Sequence, residues 1–400
     1  MKPLLFLAPT APVPGGHGLG MRALAVLRAL SRRRQVFLLV LNHPPADAEE
    51  RNACEALCAE CAYVPIGLWS RLDSIGRRLA AVHPALYSRL FPEPCEWGRA
   101  ARAGFAFPFR EREFGTVHVF RTYLTPLLAR LQGTVSWDEA QLDIDDLESA
   151  TRLRLAALHR SNGEILKAAR LELEAGQYAL LERRHLKMFD RVFVCSERDR
   201  SRLAEGCLHP APEILPNIVE EAEITACPAH EDFRLLFVGN LSYPPNSDAV
   251  LFFCRDILPR IRDSIRRPVT FDIVGGGTPR ALAREVSRTA GALLHGQIHD
   301  LAPAYARADA AVVPLRTGGG TRIKILEAFA YGRPVVSTPV GIEGIDAVDG
   351  THALIAEGGQ AFADACLRLH REPALGARLA EEALELVRHR YSDAALLDVL

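Results

Sequence analysis

The chain has no run of about 18 apolar residues, the length a helix needs to cross a bilayer, so no membrane span is expected. Its opening apolar stretch, Leu4 to Ala8, is too short and too soon broken by proline to be a secretion signal. A cytoplasmic location follows, extending at most to the inner face of a membrane. Lysine is scarce: Lys2, Lys167, Lys187 and Lys324 are the four among 48 basic residues. That skew toward arginine fits a GC-rich, bacterial coding habit and is background. Charge excess is lacking too, with 48 basic against 49 acidic residues and a formal net charge of -1, which removes bulk attraction to nucleic acid. The nine cysteines lack a disulfide framework and suit reduced thiols. Cys54, Cys58 and Cys61 recur at i, i+4 and i+7, one stripe of a helix in which cysteine is a small buried residue; a metal cluster is the competing reading. Internal repeats and low-complexity tracts are also missing.

What is present is alternation. Four hundred residues exceed one ordinary core and imply two domains. Leu4 to Ala8, a turn-rich segment, a helical pattern over Met21 to Arg33 and a second apolar run from Val36 to Leu41 make a β-α-β unit. Further strands are expected at Val117 to Phe120, Leu142 to Asp145 and Val192 to Cys195, with a mostly helical stretch over Thr151 to Phe189. After a proline- and acid-rich interruption the alternation restarts. Strands are expected at Leu235 to Val238, Val269 to Val274, Leu293 to His295, Ala310 to Pro314 and Val335 to Ser337. The helices between them run over Ser247 to Ile261, Arg280 to Thr289, Leu301 to Ala308 and Thr321 to Tyr331. The fold class is α/β, two Rossmann-like doubly wound sheets whose carboxyl-end crevices face a central cleft.

The segment from Gly318 to Gly332 carries the most chemistry. Gly318, Gly319 and Gly320 follow a strand and open a helix, so backbone N–H groups can approach a phosphate closely. Arg322 and Lys324 sit where the positive end of the helix dipole disfavours cations, and a bound anion would reverse that. The plain alternative is that both reach water and that Lys324 pairs with Glu327 at i, i+3. Glu327 lies too far along to help an anion and is placed to accept hydrogen bonds from ribose hydroxyls.

The stretch GGGTRIKILEAFAYGRPVVSTPVGIEGI closely resembles the donor-site motif of glycosyltransferase family 4. That resemblance implies the GT-B fold, transfer of a sugar from a nucleotide-diphosphate donor to a hydroxyl acceptor with retention of anomeric configuration, and no bound metal or other cofactor. Glu327 matches the second of the family's two glutamates, whereas the first position is Gly319, leaving the amides of Gly319, Gly320 and Thr321 to hold donor hydroxyls. Gly239 and Asn240 resemble the donor domain's first loop, and Gly296, Gln297, Ile298, Asp300 and Tyr305 the segment cupping the base. Neither diphosphate-binding cation of that first loop is found between Asn240 and Asn246, so Arg322 and Lys324 must carry the charge. Phe271 to Gly277 resembles the next strand and turn, readable equally as a tight turn.

Along the first half, Gly16 and Gly18 resemble the family's acceptor-side glycine loop, with Arg22 following; a solvated arginine is the plainer reading of Arg22. His118 matches the first histidine of a His-x-His strand end and is a catalytic candidate, with a packed core histidine as its alternative. Arg121 occupies the space of the second. Asp145, in the run Leu142 to Glu148, is a candidate for the acceptor hydroxyl, against a loop that caps the next helix. The resemblance implies an acceptor-binding domain at 1–215, a linker at 216–232, a donor-binding domain at 233–385, and a segment at 386–400 packing back toward the first domain. The implied partners are the donor and a saccharide or lipid-linked acceptor, with glycan or polysaccharide biosynthesis as the setting. Between Leu68 and Phe114, eight arginines against five acids, interleaved with Trp69, Tyr87 and Trp97, make either a surface for anionic lipid or a solvated helical face. A GT-B epimerase or phosphorylase and an inactive GT-B binding protein are the alternatives. A nicotinamide enzyme is disfavoured because Gly15 to Gly20 lacks the Gly-x-Gly-x-x-Gly spacing.

Overall fold

The computed structural model describes residues 2–13, 18–42, 46–66, 71–72, 75–76, 79, 83, 86, 95–103, 105–109, 112–204, 210–223, 230–320 and 322–400. Contacts divide the chain into two compact units, Met1–Pro216 with Leu396–Leu400, and Asn217–Ala395. In the first, strands β1 (Leu4–Ala8), β2 (Val36–Asn42), β3 (Glu60–Pro65), β4 (Glu113–Phe120), β5 (Ser136–Asp145), β6 (Arg191–Val194) and β7 (Glu213–Ile214) form one parallel sheet, in the order β3-β2-β1-β4-β5-β6-β7. The second holds β8 (Phe233–Val238), β9 (Val269–Val274), β10 (Ala292–Gly296), β11 (Ala310–Val313), β12 (Val335–Ser337) and β13 (Leu354–Ile355), also parallel, in the order β10-β9-β8-β11-β12-β13. Each sheet runs outward from its first strand and then reverses, so the strand order switches between β1 and β4 and again between β8 and β11. In open sheets of this kind ligands bind beyond the strand ends at that switch.

The helices of the first unit are α1 (Gly18–Ser31), α2 (Ala48–Glu55), α3 (Glu96–Ala103), α4 (Thr125–Leu131), α5 (Glu148–Ser161), α6 (Ile165–Arg184) and α7 (Glu197–Ala204). Those that follow are α8 (Pro244–Phe252), α9 (Leu258–Ser264), α10 (Arg280–Arg288), α11 (Ala302–Arg307), α12 (Ile323–Ala330), α13 (Gly359–Arg371), α14 (Pro373–Arg390) and α15 (Asp393–Val399). Helices on both faces make the inner strands apolar throughout, which is why Leu4–Ala8 is buried at every position. In the second unit Phe253 packs on Phe271 with ring centroids 4.1 Å apart.

Several expectations change. Cys54, Cys58 and Cys61 do not share a helix. An Asp47–Glu50 capping box starts α2, the amides of Leu57 and Cys58 both close onto the carbonyl of Cys54, and Cys61 pairs in β3 opposite Leu38. Among the described residues no group of three or more metal-ligating side chains is placed to hold a metal ion. The expected helix over Ser247 to Ile261 breaks into α8, a π turn at Phe253–Ile257 and α9, since Pro259 has no N–H to give. β5 starts at Ser136, earlier than Leu142, because its first residues alternate in exposure at the edge of the core. Much of Leu68 to Phe114 lies outside the described residues. Within it, Trp97 donates to the carbonyls of Pro9 at 2.7 Å and Leu41 at 3.0 Å, and Arg99 is buried, so these two do not belong to a solvated or lipid-facing stripe. No described helix is long and apolar enough to cross a membrane.

α14 runs on past position 385 with Val387 buried, and the amide of Val219 reaches the carbonyl of Tyr391 at 3.1 Å. Only Leu396–Leu400 group with the first unit, where Arg33 donates to the carbonyl of Leu397 at 2.7 Å and Arg191 to that of Val399 at 2.8 Å.

The turns after β8 and β9 are pressed backbone to backbone: Gly239 N–H donates to the Val274 carbonyl at 2.9 Å and Leu241 N–H to that of Gly276 at 2.8 Å. A Cβ at Gly275 would overlap the Gly239 carbonyl oxygen. Gly275→Ala is therefore expected to destabilise the second unit by about 1–3 kcal/mol, as overpacking does. Calorimetry showing an unshifted transition would contradict this packing.

Candidate functional site

Both switch points hold residues singled out in the sequence. In the second unit β8 ends at Val238, and Gly239 to Tyr243 turn into α8. The Asn240 carboxamide oxygen accepts from Ser242 N–H at 2.9 Å and Ser242 O–H at 2.7 Å, locking the turn, and the Asn240 carbonyl accepts from Asn246 Nδ2 at 2.7 Å. Asn246 Oδ1 in turn accepts from Lys324 Nζ at 2.7 Å, and that ammonium lies 4.4 Å from the Phe237 ring centroid. Gly239 makes the approach possible, since a Cβ there would stand 2.5 Å from Lys324 Nζ. Lys324, Gly239, Asn240 and Asn246 are thus one constellation.

Beyond β11, Gly318 has φ 134 and Gly320 φ 70, values that favour glycine. α12 begins at Ile323, later than expected, and Arg322 stands at its N-cap with φ -85 and ψ 85. The guanidinium of Arg322 is buried and donates to the carbonyls of Gly319 and Gly320. Arg322 is therefore not in the first helical turn and does not reach water; it ties the glycine turn together beside Lys324. The plain alternative for Lys324, a pair with Glu327, is replaced by the bond to Asn246. Burial, with the charge of Arg322 next, pushes the Lys324 ammonium down to about 7, while Glu327 opposes the shift. Burial raises the Glu327 carboxyl and Lys324 opposes that. Ile325, Leu326, Ala328 and Phe329 bury most of α12, leaving Lys324, Glu327 and Tyr331 on its half-exposed side.

Tyr331 stacks on buried Tyr305 with centroids 4.6 Å apart, so Tyr305 supports this helix from below. Ile298 is half-buried against the second unit's core. Thr321 lies outside the described residues. Asn246, Phe237 and the Asp248–Arg316 pair, at 2.5 and 2.9 Å, went unread in the sequence. Phe237 belongs to an apolar strand run, and nothing next to Asn246 in the sequence marks it as a partner of Lys324.

The first unit's switch point is filled differently. His118 is fully buried, stacked on Phe6 at 5.1 Å and near Phe193 at 6.2 Å, with Nδ1 3.1 Å from Gln141 Oε1. Burial lowers its pKa. It is a core histidine, and the catalytic candidacy of His118 is withdrawn, because a group enclosed within the sheet touches no substrate. Arg22 is neither solvated nor open to a ligand. Its Nε and Nη2 meet the two oxygens of Asp143 at 3.0 and 2.8 Å, and Nη2 also reaches the Leu215 carbonyl at 2.9 Å. Arg121, with φ 82, donates to Asp145 at 2.8 Å, to Asp146 at 2.6 Å and to Glu148. The carboxylates expected to cap α5 bind this arginine instead; its N-cap residue is Leu147, and Glu182 accepts from Ser149 N–H in the first turn at 3.0 Å. Asp145 itself has φ 64, and burial raises its carboxyl despite Arg22 and Arg121. Gly18 is exposed at the start of α1, and Gly16 lies outside the described residues.

Residues 232–372 match the family model described as Glycosyl transferases group 1. No curated protein sequence matches the chain significantly. Among solved structures, sucrose-phosphate synthase from Thermosynechococcus elongatus superposes with a TM-score of 0.67 at 16% identity, covering 100% of this chain and 97% of its own. Anabaena HepE, solved with UDP and glucose, gives 0.65 at 13% identity, covering 100% and 98%. Staphylococcus aureus TarM gives 0.66 at 10%, with the same coverage as HepE. The fold is therefore GT-B, as the two strand orders already indicate.

Two measurements test these sites. Lys324 holds its proton to about 10.5 when unfolded but only to about 7 when folded. The unfolded chain thus binds more protons in that window, and stability rises with pH across it. In Lys324→Met this rise should vanish from thermal melts between pH 7 and 10; an unchanged slope would refute the buried amine. In the first unit, Arg22→Met strands a buried Asp143 carboxylate and should cost about 3–5 kcal/mol in urea unfolding, with recovery when Asp143→Leu is added. An innocuous single variant would contradict the pair.

Proposed function

We propose that this chain is a glycosyltransferase, transferring a sugar from a nucleoside-diphosphate donor held by the second unit to a hydroxyl acceptor. The observation carrying this reading is the half-buried Lys324 ammonium, held against the Gly239 turn at the β8/β11 switch beside the Gly318 to Gly320 turn. An amine whose charged form is disfavoured by burial is poised to hold its proton more firmly when a diphosphate arrives. HepE, a structural neighbour, was solved with UDP, which makes uridine diphosphate the first nucleotide to try.

Transfer breaks the bond from the sugar's anomeric carbon to the diphosphate and forms one to the acceptor oxygen. The departing diphosphate gains charge, and stabilising that charge is the main task. Lys324 meets it as a protonated amine. Arg322 keeps a second positive charge close and fixes the glycine turn, whose amides face the donor in this reading. Glu327 accepts hydrogen bonds from the ribose hydroxyls, and the backbone around Ile298 takes the base. The two cations do the work a bound metal would do elsewhere, so no metal is required. In the retaining course that the resemblance implies, the acceptor attacks from the face the leaving group vacates and its proton passes to a diphosphate oxygen. The acceptor, a saccharide or lipid-linked hydroxyl in glycan biosynthesis, falls to the first unit.

Thermal shift with UDP, GDP, ADP and UMP, followed by donor turnover with EDTA present, tests the reading. One diphosphate should raise the melting temperature well above UMP, and Arg322→Ala or Lys324→Ala should lower turnover at least about tenfold with the fold intact. Absence of any diphosphate shift, or full turnover in both variants, would overturn it; a new epimer formed from donor alone would redirect it to epimerisation.

A further inference from the structure

The helix α6 carries two apolar faces. Ala168, Leu171, Ala175, Tyr178 and Leu181 are buried in the first unit, as its packing against α5 requires. The opposite side should be polar on a surface helix. Instead Leu166, Ala169, Leu173, Gly176 and Leu180 recur there at alternating steps of three and four, the spacing of a helix–helix seam. Leu166 is 53% and Leu180 70% exposed, and Ile165 beside them 56%.

Gly176 is the sharper observation. It stands in the middle of a 20-residue helix, where glycine costs about 1 kcal/mol against alanine. A Cβ added there would meet nothing within 4 Å, so no neighbour within the chain explains a missing side chain. A hole flanked by Leu173 and Leu180 on an open helix face suits the close approach of another helix.

We infer that α6 is a self-association surface whose occupant is α6 of a second copy of this chain, antiparallel about a two-fold axis between Leu173 and Gly176. The ridge supplies both halves of the fit. Leu173 of each copy seats on Gly176 of the other, and Leu180 on Ala169, the self-complementarity that a two-fold interface demands. Charge favours this occupant over an anionic bilayer, which would need surplus cations along the stripe. Counting its N-cap Glu164, the helix sets Glu172, Glu174 and Glu182 against Lys167, Arg170, Arg183 and Arg184, so no surplus of cations lines it. Arg160 pairs with Glu172 at 2.5 Å, Arg170 with Glu174 at 3.4 Å and Lys167 with Glu164, while Arg183 and Arg184 are exposed at its end.

Sedimentation velocity on the full chain up to about 100 micromolar, well above a 10 micromolar Kd, tests the inference. The native chain should sediment as a dimer, and Leu173→Glu and Gly176→Phe as monomers with unchanged melting temperature. Gly176→Ala should melt higher yet dimerise more weakly, a split that a purely structural glycine would not give. A monomeric native chain, with or without co-sedimentation with phosphatidylglycerol vesicles, would overturn the inference, as would a dimer that survives both disruptive variants.

Discussion

The ammonium of Lys324 has been taken out of water and given one neutral acceptor. Asn246 Oδ1 is 2.7 Å away and the Phe237 ring face 4.4 Å, neither of which carries the full charge a buried amine needs. Such a seat is costly to the resting protein and lowers the amine to about 7. Everything around it accommodates that one group. Gly239 is bare to admit it, Asn240 is turned by its own side chain to receive Asn246, and the β9 turn is pressed onto Gly239 from behind. Arg322 adds a like charge beside the amine, which the Glu327 carboxylate only partly offsets. An anion joining two cations so placed would stabilise the protein.

The first unit solves its own charge problem internally. Arg22 and Asp143 neutralise one another in full burial, and Arg121 gathers Asp145, Asp146 and Glu148 at the same strand ends. Both Arg121 and Asp145 adopt positive φ, held there by ion pairs across the β4 and β5 ends. The two switch points therefore differ in kind. One sheet ends in Arg322 and Lys324 acting on one another with Glu327 a turn along, the other in a closed network of ion pairs. That asymmetry is the ground on which the proposal above gives the anionic co-substrate to the second unit.

Much of the architecture was legible because parallel sheets covered on both faces write themselves as uninterrupted apolar runs: Leu4 to Ala8, Val36 to Leu41 and Val269 to Val274 emerge with bounds close to those seen. β3, β7 and β13 escaped. β3 was taken for a cysteine stripe on a helix, since Cys54, Cys58 and Cys61 satisfy a helical period while a capping box and a turn cut the helix after Glu55. Within the site, Arg322, Lys324 and Glu327 could be named from a glycine run and a misplaced pair of cations. Their partners could not. Asn246 is 78 residues from Lys324, and nothing local marks it. His118 and Arg22 fail for the converse reason: polar residues at strand and helix ends read as ligands until the fold shows them enclosed.

Glycine is the residue in which the sequence says least and the structure most. Gly239, Gly275 and Gly176 look alike on paper. The first leaves room for an ammonium, the second for a carbonyl, and the third for nothing inside the chain. A bare position opposite a neighbour is explained by that neighbour. A bare position facing open space, in a helix that would be firmer with alanine, points outside the protomer. The same steric question, asked at three places, thus separates a binding site, a packing constraint and an interface.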